Sequence, residues 1–157
     1  MSNLLKAKIL IVEDEPQINR LIELILQSEG YYNILKSYDG QSAFKIIEKE
    51  KPDLILLDVM IPEIDGFSLC KMIKEIPDFS SIQIIMLTAR KMEEDILQGF
   101  ENGAIDYISK PFNNKILLAR IKAHLKNTEL TSYIQIYQNI ELNNKKKLPK
   151  LMIKKLT

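Results

Sequence analysis

The chain has 157 residues, 46% hydrophobic and 27% charged, the balance of an ordinary soluble globular domain with about 30 residues to spare. Its formal charge of +1 is unevenly placed: residues 1–126 hold 16 Lys/Arg against 19 Asp/Glu, giving −3, and residues 127–157 hold six Lys against two Glu, giving +4, so two different parts meet near residue 127. No apolar run approaches the roughly 20 residues of a bilayer span, MSNLLKAKILIVEDE meets acids too early for a secretory leader, and the lone Cys70 excludes an internal disulfide, so a reducing, cytoplasmic setting without membrane attachment is expected.

Along the chain, short apolar runs alternate with helical patterns. Ile9–Val12 reads as a strand ended by the acidic EDEP, and Ile18, Leu21, Ile22, Ile25 and Leu26 then recur at helical spacing up to Gly30. A weaker strand spans Ile34–Tyr38, and Asp39-Gly40 turns into a helix carrying Ala43, Phe44, Ile46 and Ile47. Leu54–Leu57 is the third strand, with a helix from Gly66 to Ile76. Ile82–Leu87 is the fourth, with a helix around Glu93–Glu101. Asp106–Ser109 is the fifth, before Pro111 and a long helix through Leu125. Runs such as LILL and IIML predict strands covered on both faces, hence a parallel sheet between helix layers. Right-handed crossovers leave the flavodoxin-like doubly wound α/β sheet of five strands and five helices as the commonest solution. Beyond Lys126, Tyr133–Tyr137 and Ile140–Leu142 read as short β-prone pieces, followed by the lysine triplet 145–147; a solvated tail is the plainer alternative.

In such a sheet, ligands bind beyond the carboxyl ends of the strands. Glu13 and Asp14 follow the first strand, Asp58 the third and Thr88 the fourth, and Lys110 follows the fifth. Converging carboxylates raise one another's pKa unless a cation holds them. An all-oxygen donor set fits a hard divalent ion, Mg²⁺ before zinc, because His124 and Cys70 lie on helices away from this edge. A metal, a carboxylate to spare, a Lys and a Thr are the parts needed for phosphoryl transfer to Asp58. A nucleotide site wants a glycine-rich loop where EDEPQ stands, and a dehalogenase-type phosphatase wants a second acid where Met60 stands. Each residue has a plainer reading as well: Asp58 as a turn former, Glu13 and Asp14 as a helix start, Thr88 as strand propensity, Lys110 as a solvated lysine.

The motifs IVEDE (11–15), LLDVMIPEIDGF (56–67), MLTAR (86–90), GAIDYISKPF (103–112) and LLARIKAHL (117–125) resemble, in order over about 120 residues, the receiver domain of bacterial two-component response regulators, a CheY-like fold. The resemblance implies that Asp58 accepts a phosphoryl group from a sensor histidine kinase and later loses it by slow self-hydrolysis. Glu13, Asp14, Asp58 and the backbone carbonyl of Met60 would hold Mg²⁺, and Thr88 and Lys110 would contact the phosphoryl group. Tyr107 would switch inward as Thr88 moves, although a plain core aromatic gives the same residue type. The Lys110–Pro111 bond would be cis. The protein would then be a signalling switch that catalyses its own modification.

VEDE, DYISKPF and LLARIKAHL are most similar to the OmpR/PhoB group, whose receivers dimerise on phosphorylation through the fourth helix, fifth strand and fifth helix. Asp106 and Arg120 match one charge pair of that face, whereas Ile96, Ile105 and Ile116 stand where the family tends to carry charge, so a more apolar dimer face is expected. The tail resembles the small sheet that opens the group's winged-helix DNA-binding domain. The expected division is therefore a receiver at 1–126, a linker at 127–135 and a sheet remnant at 136–157. DNA would be bound only through an output domain missing from these residues; a DNA-binding transcriptional regulator is the alternative for a longer parent chain.

Overall fold

Continuous apolar strands have a structural reason here. The computed structural model describes residues 3–89, 97, 101 and 103–144. Its sheet holds β1 (Ile9–Val12), β2 (Ile34–Ser37), β3 (Leu54–Asp58), β4 (Gln83–Thr88) and β5 (Asp106–Ser109), all parallel, in the order β2-β1-β3-β4-β5. Successive side chains on a strand point to opposite faces. Leu10, Val12, Ile55, Leu57, Ile84 and Met86 therefore enter one core, with α2 (Gly40–Glu50) and α3 (Gly66–Glu75). Ile9, Ile11, Leu54, Leu56, Ile85 and Leu87 enter the other, with α1 (Pro16–Glu29) and the C-terminal helix (Asn114–Asn144). Both faces are dry, so every position must be apolar.

The helices begin and end as their sequences dictate. Pro16 opens α1, and Gly30 closes it in the left-handed region at φ 106°. Asp39 and Asp65 cap α2 and α3 by accepting hydrogen bonds from the Ser42 and Ser68 backbone N–H groups. Gly66 lets α3 start against the end of β3: a Cβ there would lie 2.4 Å from the Asp58 carbonyl oxygen. The helix expected around Glu93–Glu101 lies outside the described residues except for Leu97 and Glu101, both helical.

The tail differs from the sequence expectation. The segments 133–137 and 140–142 are helix, not strand, because the C-terminal helix runs unbroken over 31 residues to Asn144. Extending a formed helix adds one hydrogen bond per residue fixed, whereas a strand here would need a partner. Neither glycine nor proline occurs between Pro111 and Pro149 to stop it. Among the residues whose burial is described, Leu117, Ile121 and Leu125 are its buried anchors, and Tyr133, Ile136 and Ile140 farther along are exposed. Residues 136–144 of the expected winged-helix remnant are thus helical, and 145–157 lie outside the described residues.

Candidate functional site: an acidic pocket at the carboxyl edge

Parallel strands deliver their polar termini to one edge. β1 ends in Val12, so Glu13 and Asp14 leave it together; β3 ends in Asp58, opposite Leu87 of β4; Thr88 is the last residue of β4, opposite Ser109 of β5. Lys110 follows, its backbone N–H donating to the Thr88 carbonyl at 2.7 Å, and the Lys110–Pro111 bond is cis, as the resemblance implies. Glu13, Asp58 and Thr88 are buried, at 0%, 6% and 1% exposure, and Asp14 is half-buried. One carboxylate oxygen from each of Glu13, Asp14 and Asp58 lies within 4.8 Å of the others.

The Lys110 ammonium spans the pocket. It pairs with Glu13 Oε1 and donates to Asp58 Oδ2 at 3.0 Å. The other Asp58 oxygen accepts from the Met60 N–H at 3.1 Å. Burial pulls the Lys110 pKa down, but Glu13 and Asp58 outweigh it and leave the group above its ordinary value. Burial pushes Glu13 up to about 8, helped by the neighbouring Asp58 carboxyl and opposed by Lys110. Glu13 Oε2 is buried without a hydrogen-bond partner. Among the described residues, Lys110 thus pairs with two of the three carboxylates. Oxygen donors, a stranded carboxylate oxygen and a carboxyl held against ionisation suit a hard divalent ion. Beside the pocket, a depression of about 500 Å³ is lined by Asp14, Val59, Met60, Ile61, Pro62, Asp65 and Phe67.

Glu13, Asp14, Asp58 and Lys110 therefore converge, and Thr88 ends the neighbouring strand. Met60 is exposed on the turn after β3. Tyr107 is half-buried on β5 and packs against the α3-side core. Of the expected dimer face, Ile105 and Asp106 are half-buried, Ile116 and Arg120 are exposed, and Ile96 lies outside the described residues. Asp106 is paired within its own chain: Arg120 Nη1 donates to both its oxygens at 2.7 and 2.9 Å, and His124 Nε2 lies 2.9 Å from Oδ2. His124 had no role in the sequence reading beyond structure; its spacing from Arg120, four residues on one helix face, was the signal available. Asn19, buried at 0% exposure under the acidic loop, was also missed. Its signal was an amide at helical spacing from Ile22 and Leu26, within an apolar stripe.

Fold and pocket define a class of protein: doubly wound parallel α/β modules that gather acids, a hydroxyl and a lysine at the carboxyl edge of the sheet. Residues 9–122 match the response regulator receiver domain, and the chain belongs to that family. It is 48% identical over 122 residues to the transcriptional regulatory protein YvrH of Bacillus subtilis (strain 168), covering 78% of this chain and 50% of the relative. It is 41% identical over 135 residues to the alkaline phosphatase synthesis transcriptional regulatory protein PhoP of the same organism, covering 86% and 55%. The chain thus spans about half the length of these relatives, both of which are named as transcriptional regulatory proteins. Among solved structures, the receiver domain of sensor histidine kinase PA1611 from Pseudomonas aeruginosa PAO1 superposes with a TM-score of 0.71 at 31% identity, over 77% of this chain and 98% of that one. That structure has a magnesium ion coordinated in its active site cleft. Among the described residues, no helix is long and apolar enough to cross a membrane.

Proposed function

We propose that this receiver works in the cytoplasm and is phosphorylated on Asp58 by a sensor histidine kinase in a Mg²⁺-dependent reaction. The observation that carries the reading is the Lys110 ammonium held between Glu13 and Asp58 at the sheet edge. Glu13, Asp14, Asp58 and the Met60 carbonyl would hold Mg²⁺, which when bound supplies positive charge against phosphoryl oxygens. An Asp58 carboxylate oxygen attacks phosphorus, the P–N bond to the kinase imidazole breaks, and the imidazole keeps the bonding pair and takes a proton. Lys110 then turns its ammonium toward the phosphoryl oxygens, and the Thr88 hydroxyl donates to one of them. Water later attacks phosphorus, releases inorganic phosphate and returns the Asp58 carboxylate.

An approaching kinase needs a foothold beside this edge. A largely apolar depression of about 360 Å³, lined by Ile18, Leu21, Ala89, Lys110, Pro111, Phe112 and Asn114, supports docking there, and Leu21 and Leu24 stand exposed nearby. Phosphorylation would bias the Thr88 and Tyr107 region between two states and so promote a homodimer through Ile96, Ile105, Asp106, Ile116 and Arg120. The functional boundary stays at residue 126, just after the buried Leu125 of the C-terminal helix. DNA binding by the whole protein is the companion reading, favoured by the relatives named as transcriptional regulators.

The test is acetyl phosphate with Mg²⁺, read on a phosphate-retarding gel. Wild type should shift and Asp58→Ala should not. No shift of the wild type with Mg²⁺ present refutes the proposal. For the dimer, Asp106→Arg should leave the phosphorylated form monomeric in light scattering; a persistent dimer places the interface elsewhere.

A further inference from the structure

The acids that follow β1 sit on one short loop, and a side chain from outside the loop holds it. Asn19 is the fourth residue of α1, on the face of Ile22 and Leu26, and is fully buried. A helical Cβ leans toward the N-terminus, so the amide reaches back over the first turn. Its Nδ2 donates to the Glu13 carbonyl oxygen at 3.1 Å and to the Ser37 carbonyl oxygen at 3.1 Å. The Ser37 carbonyl also accepts from the Glu13 N–H at 3.1 Å. One amide thereby ties the ends of β1 and β2 to the start of α1.

The Glu13 carbonyl belongs to the peptide that joins Glu13 to Asp14. Holding that oxygen fixes the rotation of the peptide plane, and with it the angle between the two carboxylate-bearing residues. The arrangement carries a penalty, because Asn19 Oδ1 is buried with no hydrogen-bond partner. Leucine would suit the apolar face of α1 without that penalty, so the stranded oxygen calls for an explanation. The donors on the same amide provide it.

The geometry points to Asn19 as a positioning residue of the pocket: its amide sets the Glu13–Asp14 peptide so that both carboxylates converge with Asp58 on one divalent cation. The inference rests on reading this pocket as a Mg²⁺ site. Partners that orient metal ligands from behind typically contribute about 10–100-fold to metal affinity.

Calorimetric titration of Mg²⁺ alone into the unphosphorylated protein tests it. Asn19→Leu removes both donors and the stranded acceptor while filling the site. Ile22→Val, on the same buried helix face, controls for loss of packing. Asn19→Leu should bind Mg²⁺ about tenfold more weakly and Ile22→Val as the wild type does, whatever their melting temperatures. Asn19→Ser, which keeps one hydroxyl donor, should fall between. Asn19→Leu binding within about twofold of wild type overturns the inference, as does a failure of both Asn19 variants to fold, which would make the residue structural. A wild type that binds no Mg²⁺ overturns the metal-site reading itself, a result distinct from either.

Discussion

The carboxylates at the helix entries and those at the sheet edge are the same chemical group under opposite treatment. Asp39 accepts from the Ser42 N–H at 2.7 Å and the Ser42 hydroxyl at 2.9 Å. These bonds, the backbone one foremost, hold its pKa below the ordinary value. Asp65 makes the same pair with Ser68, at 3.0 and 2.6 Å. Partial burial pushes Asp65 up, but the Ser68 hydrogen bonds outweigh it, and the net shift is downward. Glu13 goes the other way, up to about 8, because burial there outruns the donors that meet the charge. Burial alone therefore does not sort scaffold acids from site acids. What sorts them is whether backbone and hydroxyl donors close around the charge or leave an oxygen without a donor, as at Glu13 Oε2. Neutralising a cap should destabilise the fold; neutralising a site acid should not.

The largest effect is expected where the two regions touch. Gly66 is the first residue of α3 after its Asp65 cap, and it packs on the Asp58 peptide. Gly66→Ala must push α3 away from the end of β3, since its Cβ would also lie 2.7 Å from the Val59 Cα. Overpacking of this kind costs about 1–3 kcal/mol. Urea unfolding should show that loss, and phosphorylation by acetyl phosphate should slow with it. Unchanged phosphorylation at reduced stability would separate cap and site, and the comparison would lose its hinge.

A cap comes next. Asp65→Ala removes two hydrogen bonds at the start of α3 and should lower stability by about 1 kcal/mol in urea unfolding. Glu13→Gln should do the reverse or nothing. It removes one of the two buried carboxylates that share the Lys110 ammonium, so the metal-free melting temperature should hold or rise. The increment that saturating Mg²⁺ gives the wild type should shrink sharply. A metal-free Glu13→Gln protein as destabilised as Asp65→Ala would erase the distinction between the two sets.

Much of this was legible in the sequence, for reasons that can be named. The strands could be read because both sheet faces are dry, which leaves runs such as Leu54–Leu57 with no polar position. The edge acids could be read because a parallel sheet delivers every strand end to one side, and order along the chain then becomes proximity in space. The tail could not. Tyr133, Ile134, Ile136 and Tyr137 favour strands in general, but a strand needs a neighbour, and the helix they inherit from Leu117, Ile121 and Leu125 was already formed. The pairing of Asp106 was ambiguous in principle: charge complementarity with Arg120 is the same within a chain as between two. Asn19 was hidden by its setting, since a helical pattern is scored on its apolar members and one amide among them reads as noise.

The smallest effect is the pH dependence of a cap, and its sign follows from the direction of the Asp65 shift. The folded pKa of Asp65 lies below its ordinary value, so folding favours the ionised form. The stabilisation is fully present above the unfolded pKa and is lost as pH falls through the lower, folded one. Asp65→Ala should therefore differ most from wild type near neutrality. The gap between their urea midpoints should hold down to about pH 5 and narrow below about pH 4. Asp39→Ala should behave alike, because its shift has the same direction and the same kind of donors. A gap that widens on acidification would mean that the donors at these helix entries favour the protonated carboxyl, and the two sets of acids would then differ in degree and not in kind.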